Sequence, residues 1–233
     1  MSLPPHPTPT PAIPGPITIA TGNPGKVAEL RPIFAELGIE VVGLKDLATP
    51  TTEPEETGDT FEANATIKAV AYAMQTGTAC LADDSGLVVD ALGGAPGVIS
   101  SHYASGGREE GLSRAERDAA NNARLLRELG GVPDAERTAR FVCVMVLANR
   151  RGEVLARSEG AFEGRIGREL RGEHGFGYDP LLVVAPGFTR TSAELSPQEK
   201  NSISHRARAA QAMARAMAGL ASDVTQRRRA PTE

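Results

Sequence analysis

The stretch RTARFVCVMVLANRRGEVLARSEGAF, residues 137–162, predicts the central feature of the fold. Two runs rich in apolar and branched residues, 137–148 and 153–162, are separated by the polar turn at 149–152. Runs of this kind, joined by a short turn that contains glycine, are typical of an antiparallel hairpin. We therefore expect two long paired strands with the rest of the chain arranged around them.

Strand and helix patterns alternate outside this hairpin. Short apolar runs predict strands at residues 17–20, 40–43, 79–82 and 87–89. Apolar residues at helical spacing predict helices over residues 27–37, 59–76, 113–129 and about 196–220. Two helix starts carry the residue pair of a capping box, Asp59 with Glu62 and Ser113 with Glu116. The alternation predicts a mixed α/β chain and is compatible with two lobes separated by a cleft.

Both ends of the chain differ in composition from the region between them. Residues 1–16 contain 7 of the 17 prolines and no acidic or basic side chain, which predicts a disordered tail. Residues 221–233 are polar, and their arginine run at 227–229 favours a solvated tail over a nucleic-acid contact. We therefore expect one domain over residues 17–220.

Charge and cysteine content argue against several classes of protein. The chain has 25 Lys and Arg against 29 Asp and Glu, and this net charge of −4 argues against a nucleic-acid polymer as main partner. No apolar run reaches the roughly 18 residues of a membrane span, and no signal peptide is visible. Cys80 and Cys143 lie in apolar runs without a CxxC partner, which predicts buried thiols in a reducing compartment. These features predict a cytoplasmic protein.

The first candidate site lies between the first predicted strand and the first predicted helix. It consists of Thr21, Gly22, Asn23, Pro24, Gly25 and Lys26. A turn with glycines at a helix N-terminus exposes backbone N–H groups to an anion, and Lys26 adds a positive charge beside them. Phosphate binding and an ordinary strand-to-helix turn are equally compatible with this segment alone.

Two acidic segments form the second candidate. Residues 53–59 carry several acids before a predicted helix, where the helix macrodipole favours them without any function. The other segment, Asp83-Asp84-Ser85-Gly86, follows a predicted strand, in which adjacent residues face opposite sides. One aspartate is therefore expected to point into a cleft while the other braces the turn. Carboxylates from two segments, together with substrate phosphates and water, are the usual ligands of Mg²⁺.

The third candidate surrounds an aromatic residue in the sequence GFGYDP, residues 175–180. The glycines on either side of Phe176 leave its ring face available to a nucleobase, whose stacking contributes about 1–3 kcal/mol. A packed turn before the next strand is the alternative interpretation.

The fourth candidate is a polar group in the last predicted helix, formed by Lys200, Ser202, Ser204, His205 and Arg206. In one continuous helix, Lys200 and His205 would lie about 140° apart around the axis and could not face one small ligand. We therefore expect a break near residues 201–204, with a new helix that presents polar groups at its positive end. A solvated basic helix face is the alternative.

Taken together, these segments resemble the inosine triphosphate pyrophosphatase family, enzymes that hydrolyse non-standard purine nucleoside triphosphates. The resemblance covers about residues 17–220, and it is carried by residues 21–26, 55–58, 83–86 with 92–97, 176–180 and 204–206. It implies a mixed β-sheet with flanking helices, in two lobes around a central active-site cleft. It also implies a homodimer that requires Mg²⁺. The reaction would be water attack at the α-phosphorus of ITP, dITP or XTP, giving the nucleoside monophosphate and pyrophosphate.

The resemblance further implies roles for individual residues. The turn at residues 21–26 would bind the triphosphate, chiefly through Thr21, Asn23 and Lys26. Glu56 and Asp84 would hold the metal ion, and Asp84 would accept the proton of the attacking water. The remaining matches would bind the nucleotide, the last two of them near the purine edge: Ser85, Phe176, Gly177, Tyr178, Asp179, Lys200, His205 and Arg206.

The chain departs from the family pattern at two positions. His174 stands where a glycine is common before the aromatic segment, and His102 stands where an arginine is common after the glycine-rich turn. Two other functions stay open at this point: a pyrophosphatase for another base, such as a modified pyrimidine, and a non-catalytic nucleotide sensor. A sensor would be expected to lose an acid, whereas Glu56 and Asp84 are both present.

Overall fold

A computed structural model describes residues 15–108 and 111–229, with side chains as far as residue 220. The tail predicted at residues 1–16 lies almost wholly outside the described residues, as does the chain after residue 229. No helix in the described ranges is long and apolar enough to cross a membrane.

Six strands of the described residues form one mixed sheet. In chain order they are β1 (Ile17–Ile19), β2 (Val41–Gly43), β3 (Cys80–Val89), β4 (Thr138–Ala148), β5 (Val154–Ile166) and β6 (Leu182–Val184). Their order across the sheet is β2-β1-β3-β4-β5-β6. β1 is parallel to β2 and β3, and the other neighbours are antiparallel. The predicted hairpin is confirmed as β4 and β5, and β5 extends beyond its predicted end to Ile166.

Within residues 15–108 and 111–229, five α-helices flank the sheet. They are α1 (Pro24–Glu36), α2 (Phe61–Thr76), α3 (Arg114–Glu128), α4 (Pro197–Ile203) and α5 (His205–Arg229). One core cluster joins α1 and α5 to the face that carries Leu81 and Met145, and a second joins α2 to the face that carries Ala82 and Val146. A third cluster, around Leu125, lies where α3 and β6 meet the far ends of the long strands. The mixed sheet with flanking helices is therefore confirmed.

The prediction of two separate strands at residues 79–82 and 87–89 is wrong, because β3 runs through both without interruption. Every residue from Cys80 to Val89 pairs with β4, in a register that places Asp83 opposite Met145 and Asp84 opposite Val144. The two aspartates therefore lie within a strand rather than after its end.

Two helix starts differ from prediction because other side chains cap them. Thr60, and not Asp59, caps α2, since its hydroxyl accepts a 3.1 Å hydrogen bond from the Ala63 N–H. α1 begins three residues earlier than predicted, at Pro24, where the fixed φ of proline suits a first helical position. The capping box of Ser113 and Glu116 at the start of α3 is confirmed.

The expected break in the last helix is confirmed at Ser204. This residue has extended φ and ψ angles of −67° and 165°, ends α4, and accepts a hydrogen bond from the Ala207 N–H through its hydroxyl. α5 then continues to Arg229, nine residues beyond the end predicted at residue 220. Cys80 and Cys143 are free and buried, as expected.

We predict that Gly160→Ala destabilises the protein, because α5 packs directly on the backbone of β5 at this position. A Cβ atom on Gly160 would clash with the His205 carbonyl oxygen and lie 2.5 Å from the Ala209 amide nitrogen. Overpacking of this kind costs about 1–3 kcal/mol, measurable as the free energy of unfolding in urea. Gly219→Ala is the control, since its Cβ meets nothing within 4 Å and alanine favours a helix. Equal stability of the two variants would contradict the prediction.

Candidate active site

A cavity of about 750 Å³ opens where β1 ends and β3 continues alongside β4. Openings beyond the carboxyl ends of parallel strands are common ligand sites in α/β proteins. Most of the predicted site residues line this cavity: Thr21, Gly22, Asn23, Lys26, Glu56, Asp84, Ser85, Phe176, Gly177, Tyr178, Asp179, Lys200, His205 and Arg206. Pro24 and Gly25 do not line it. The structure thus brings together segments that are up to 185 residues apart in the sequence, from Thr21 to Arg206.

Asp84 faces α2, where a buried lysine bridges two acids. Lys68 Nζ lies 2.8 Å from Asp84 Oδ1 and 2.9 Å from Glu56 Oε2. Burial alone would lower the pKa of Lys68, but the carboxylates of Asp84 and Glu56 outweigh burial and raise it, so the ammonium stays charged. Burial raises the pKa of Asp84, and the attraction of Lys68 offsets only part of this effect.

The donor set around Asp84 fits a divalent cation. Asp84 Oδ2 is buried and has no hydrogen-bond partner among the described residues, so one hard oxygen ligand is left unused. Glu56 supplies a second carboxylate beside the same ammonium. In the described ranges no group of three metal-binding side chains occurs, so the remaining ligands would come from phosphate oxygens and water.

Asp83 faces the opposite side of the sheet and is enclosed by two cations. Lys26 Nζ lies 3.0 Å and Arg206 Nε 3.4 Å from Asp83 Oδ2. Burial alone would raise the pKa of Asp83, but these cations lower it to about 2. The expectation that one aspartate points into a cleft is met by Asp84, whereas Asp83 does not brace a turn. Asp83 instead pairs with Lys26 and Arg206, because its position within β3 directs its side chain towards α1 and α5.

Glu29 of α1 joins the polar residues on either side of the helix break. Its two carboxylate oxygens each lie 2.7 Å from a cation, Lys200 Nζ and Arg206 Nη1. Lys200 Nζ also lies 2.7 Å from Asp179 Oδ2, and Arg206 Nη2 donates to the Ser85 hydroxyl at 2.8 Å. The break at Ser204 therefore lets both cations reach one carboxylate, which a continuous helix would not.

Phe176 lies against the same cations. The ring centroid is 5.3 Å from both Lys200 Nζ and Arg206 Cζ, within the range of a cation–π contact. The Phe176 N–H donates to Asp179 Oδ2 at 2.8 Å, which ties the ring to the carboxylate that binds Lys200. The predicted turn is therefore both a packed turn and part of the cavity wall.

The turn at residues 21–26, which fits both a phosphate site and an ordinary strand-to-helix turn, uses two of its backbone N–H groups internally. Asn23 Oδ1 accepts from the N–H groups of Gly25 and Lys26 at 2.9 and 3.4 Å, so these two donors are used within the turn. What the turn offers to the cavity is the side chain of Lys26 together with Thr21, Gly22 and Asn23.

His205 is enclosed in the cavity wall and uncharged. Its ring stacks on Phe141 at 5.1 Å between centroids, and burial lowers its pKa well below the usual value. A neutral imidazole carries one N–H donor and one bare acceptor nitrogen. Its Nδ1 atom has no hydrogen-bond partner in the described part of the chain.

Sequence reasoning missed two residues that hold the site together, Lys68 and Glu29. Lys68 lies among apolar residues in ATIKAVAYA, and a lysine on a buried helix face is a signal that could have identified it. Glu29 follows Lys26 by three residues, so both lie on one face of α1. The ion-pair partners of both residues lie far away in the sequence, so the local sequence does not show their roles.

Fold and site define an α/β protein with a deep cleft that combines paired carboxylates, buried cations and an aromatic wall. The chain belongs to the Ham1 family, whose pattern residues 17–216 match.

Relatives and solved structures agree with this assignment. A protein of Exiguobacterium sibiricum named dITP/XTP pyrophosphatase is 48% identical over 83% of this chain and 92% of its own length. One of the same name from Pseudomonas aeruginosa is 50% identical over 83% of this chain and 92% of its own. The solved Ham1 protein of Staphylococcus aureus is 38% identical with a TM-score of 0.72, and the match covers 88% of this chain and 99% of that one.

We predict that Gly175→Ala weakens ligand binding, because Gly175 has a φ of +81° and directly abuts Asp179. A Cβ atom there would overlap Asp179 Oδ2 and displace the carboxylate that binds Lys200 and the Phe176 N–H. Loss of such charge-assisted bonds costs about 1.5–3 kcal/mol, or roughly ten- to hundredfold in affinity. Nucleotide binding by calorimetry measures it.

The control for this variant is Gly187→Ala, whose Cβ would meet only Thr189 Oγ1 at 3.7 Å and which lies outside the cavity. Unchanged affinity in Gly175→Ala would contradict the assigned role of Asp179.

Proposed function

We propose that the cavity binds a non-standard purine nucleoside triphosphate, namely ITP, dITP or XTP, and hydrolyses it to the nucleoside monophosphate and pyrophosphate. The observation that carries this proposal is the Glu56–Lys68–Asp84 cluster, with its unused carboxylate oxygen, opposite the Lys26 ammonium in one cavity. Relatives about half identical to this chain bear the name dITP/XTP pyrophosphatase. The enzyme is a hydrolase of the nucleoside triphosphate pyrophosphatase class.

Cations on both faces of β3 would bind the triphosphate. Lys26 and Lys68 both reach the cavity, from helices on opposite sides of the sheet. Fixed cations in a site that excludes water stabilise the negative charge that develops during phosphoryl transfer. Glu56 and Asp84 would hold a divalent metal ion, proposed to be Mg²⁺, which neutralises phosphate charge and lowers the pKa of bound water.

Asp84 would orient the water and accept its proton. An ordinary aspartate is a weak base because its pKa is about 3.9. Burial raises the pKa of Asp84, whereas a metal ion held by the same carboxylate would lower it, so most of the activation of the water would come from the metal ion. Lys68 keeps the side chain fixed through its 2.8 Å contact to Oδ1, which leaves Oδ2 for the chemistry.

The aromatic wall would recognise the base. Phe176 offers a ring for stacking, and neutral His205 can donate one hydrogen bond to the 6-oxo group of hypoxanthine or xanthine. The guanidinium of Arg206 is held by Glu29, Ser85 and Asp83, so it is fixed beside the ring. The amino group of adenine would leave the donor that faces the 6-oxo group unpaired. Sites built in this way reject the mismatched analogue strongly.

The other expectations stay predictions. These are the homodimer, the cytoplasmic location and the absence of a nucleic-acid polymer as partner. The first is tested by sedimentation of the full chain, in which a species of twice the 24.4 kDa chain mass is expected.

We predict that pyrophosphate is the first phosphate product from dITP, ITP and XTP, and that ATP, whose base lacks the 6-oxo group, reacts far more slowly; GTP, which shares that group, is assayed beside them. The pyrophosphate-release assay is run with all five nucleotides, with Mg²⁺ and with a chelator in its place, and the chelator should abolish turnover. Orthophosphate as first product would contradict the cleavage position, and equal rates for ITP and ATP would contradict the base selectivity. Release from modified pyrimidine triphosphates instead would favour the alternative base preference.

We predict that Asp84→Asn lowers kcat about 10²- to 10⁴-fold while nucleotide binding is largely kept, because the amide cannot accept the proton. Asp134→Asn is the matched control, since Asp134 is an exposed partner of Arg168 outside the cavity. Steady-state rates and calorimetric binding of dITP separate the two effects. Turnover near that of the unsubstituted enzyme in Asp84→Asn would refute the assignment.

A further inference from the structure

Helix α3 holds the backbone of Gly177, the residue that follows Phe176. The Gly177 N–H donates to Asp118 Oδ2 at 2.9 Å, and Asn122 Nδ2 donates to the Gly177 carbonyl oxygen at 2.9 Å. Asp118 and Asn122 are four residues apart, so they lie one turn apart on one face of the helix. Gly177 has a φ of +63°, and both of its backbone polar groups are fixed by side chains from this helix.

The same helix also holds the neighbouring cavity wall, the 3₁₀ segment Gly97–His102. Asn121 Nδ2 lies 3.3 Å from the Ser100 carbonyl oxygen and 3.1 Å from that of Ser101. Tyr178 OH donates to the Ser100 carbonyl oxygen at 2.8 Å and ties this wall to the Phe176 loop. Two walls of the cavity therefore take their positions from consecutive asparagines of α3.

Asn122 is not explained by stability alone. It is 5% exposed, and its Oδ1 atom is buried with no hydrogen-bond partner in the described ranges. A buried unpaired oxygen costs about 1–3 kcal/mol, which an apolar residue of similar size would avoid. Asn122 donates a hydrogen bond to Gly177, which an apolar residue cannot do.

We propose that Asp118 and Asn122 are positioning residues for base selection, and that they act by fixing Phe176 through the backbone N–H and carbonyl groups of Gly177. The proposal rests on the proposed function, in which Phe176 stacks on the base. The ring lies against the start of α1, since a Cβ atom on Gly25 would be 3.1 Å from two Phe176 ring carbons. A small displacement of the loop would therefore move the ring relative to Lys200 and Arg206 as well as to the base.

Asp118 and Asn122 are expected to affect binding more than chemistry. The cluster of Glu56, Lys68 and Asp84 is held by β3, α2 and the loop before α2. Loss of one hydrogen bond to Gly177 should therefore raise KM for dITP about tenfold and leave kcat within about twofold. The ratio of kcat/KM for dITP to that for dATP should fall, because the donor to the 6-oxo group no longer meets a fixed base.

The kinetic test uses four variants of the full chain. Asp118→Ala and Asn122→Ala remove one bond each, and both should raise KM. Asp118→Asn keeps an acceptor oxygen of the same size and should restore most of the affinity. Arg127→Ala is the control for loss of a long side chain, since Arg127 is exposed on α3 and does not line the cavity. An unchanged KM in Asp118→Ala, or a fall in kcat alone, would overturn the proposal, and so would an equal effect of Arg127→Ala.

A second readout does not depend on turnover. The chain has no tryptophan, so Phe176→Trp introduces a single fluorescent reporter at the loop. Adding Asp118→Ala to this variant should raise the acrylamide quenching constant of the reporter about twofold, and adding Arg127→Ala should not. Equal quenching in both double variants would overturn the proposal. If the unsubstituted enzyme releases no pyrophosphate from dITP, the proposed function fails, while this measurement still decides whether Asp118 fixes the loop.

Discussion

Two adjacent carboxylates within a buried strand are the constraint on which the rest of the structure depends. Asp83 and Asp84 lie in the middle of β3 and are 2% and 7% exposed. Removing the partner of a buried charge costs about 3–5 kcal/mol, so each carboxylate needs a cation from the face it points to. Lys26 and Arg206 supply the charge on one face, and Lys68 supplies it on the other. Because the side chains of adjacent strand residues point to opposite faces, the Asp83-Asp84 dipeptide pairs with helices on both sides of the sheet.

The positions of the helices follow from this pairing. α1 brings Lys26 to the sheet in its first turn, and α5 brings Arg206 in its own first turn. Both helices also meet at Glu29, which binds Arg206 and, across the break at Ser204, Lys200. Ser204 has extended φ and ψ angles, ends α4 and caps the start of α5. The chain therefore changes direction at this residue, and both cations converge on Glu29. The binding cavity is the space left between these charges where β1 stops.

Local patterns predicted the elements but not their long-range partners. The hairpin, the Ser113 cap and the helix break follow from residues close together in sequence, and the structure confirms them. The continuity of β3 was not predictable, because two acids and a glycine interrupt its apolar pattern and only pairing with β4 makes it one strand. Lys68 and Glu29 were missed because their partners are set by tertiary contact, as with Glu29 and Arg206, which are 177 residues apart.

The carboxylates on β3 and the Phe176 ring are held in place in two different ways. Asp83 and Asp84 lie on a strand whose every residue is paired, so their positions change only if the sheet changes. The Phe176 ring lies on a loop whose position depends on single side-chain bonds from Asp118, Asn122 and Asp179. Substitutions in α3 are therefore expected to move the loop while leaving the two strand carboxylates in place.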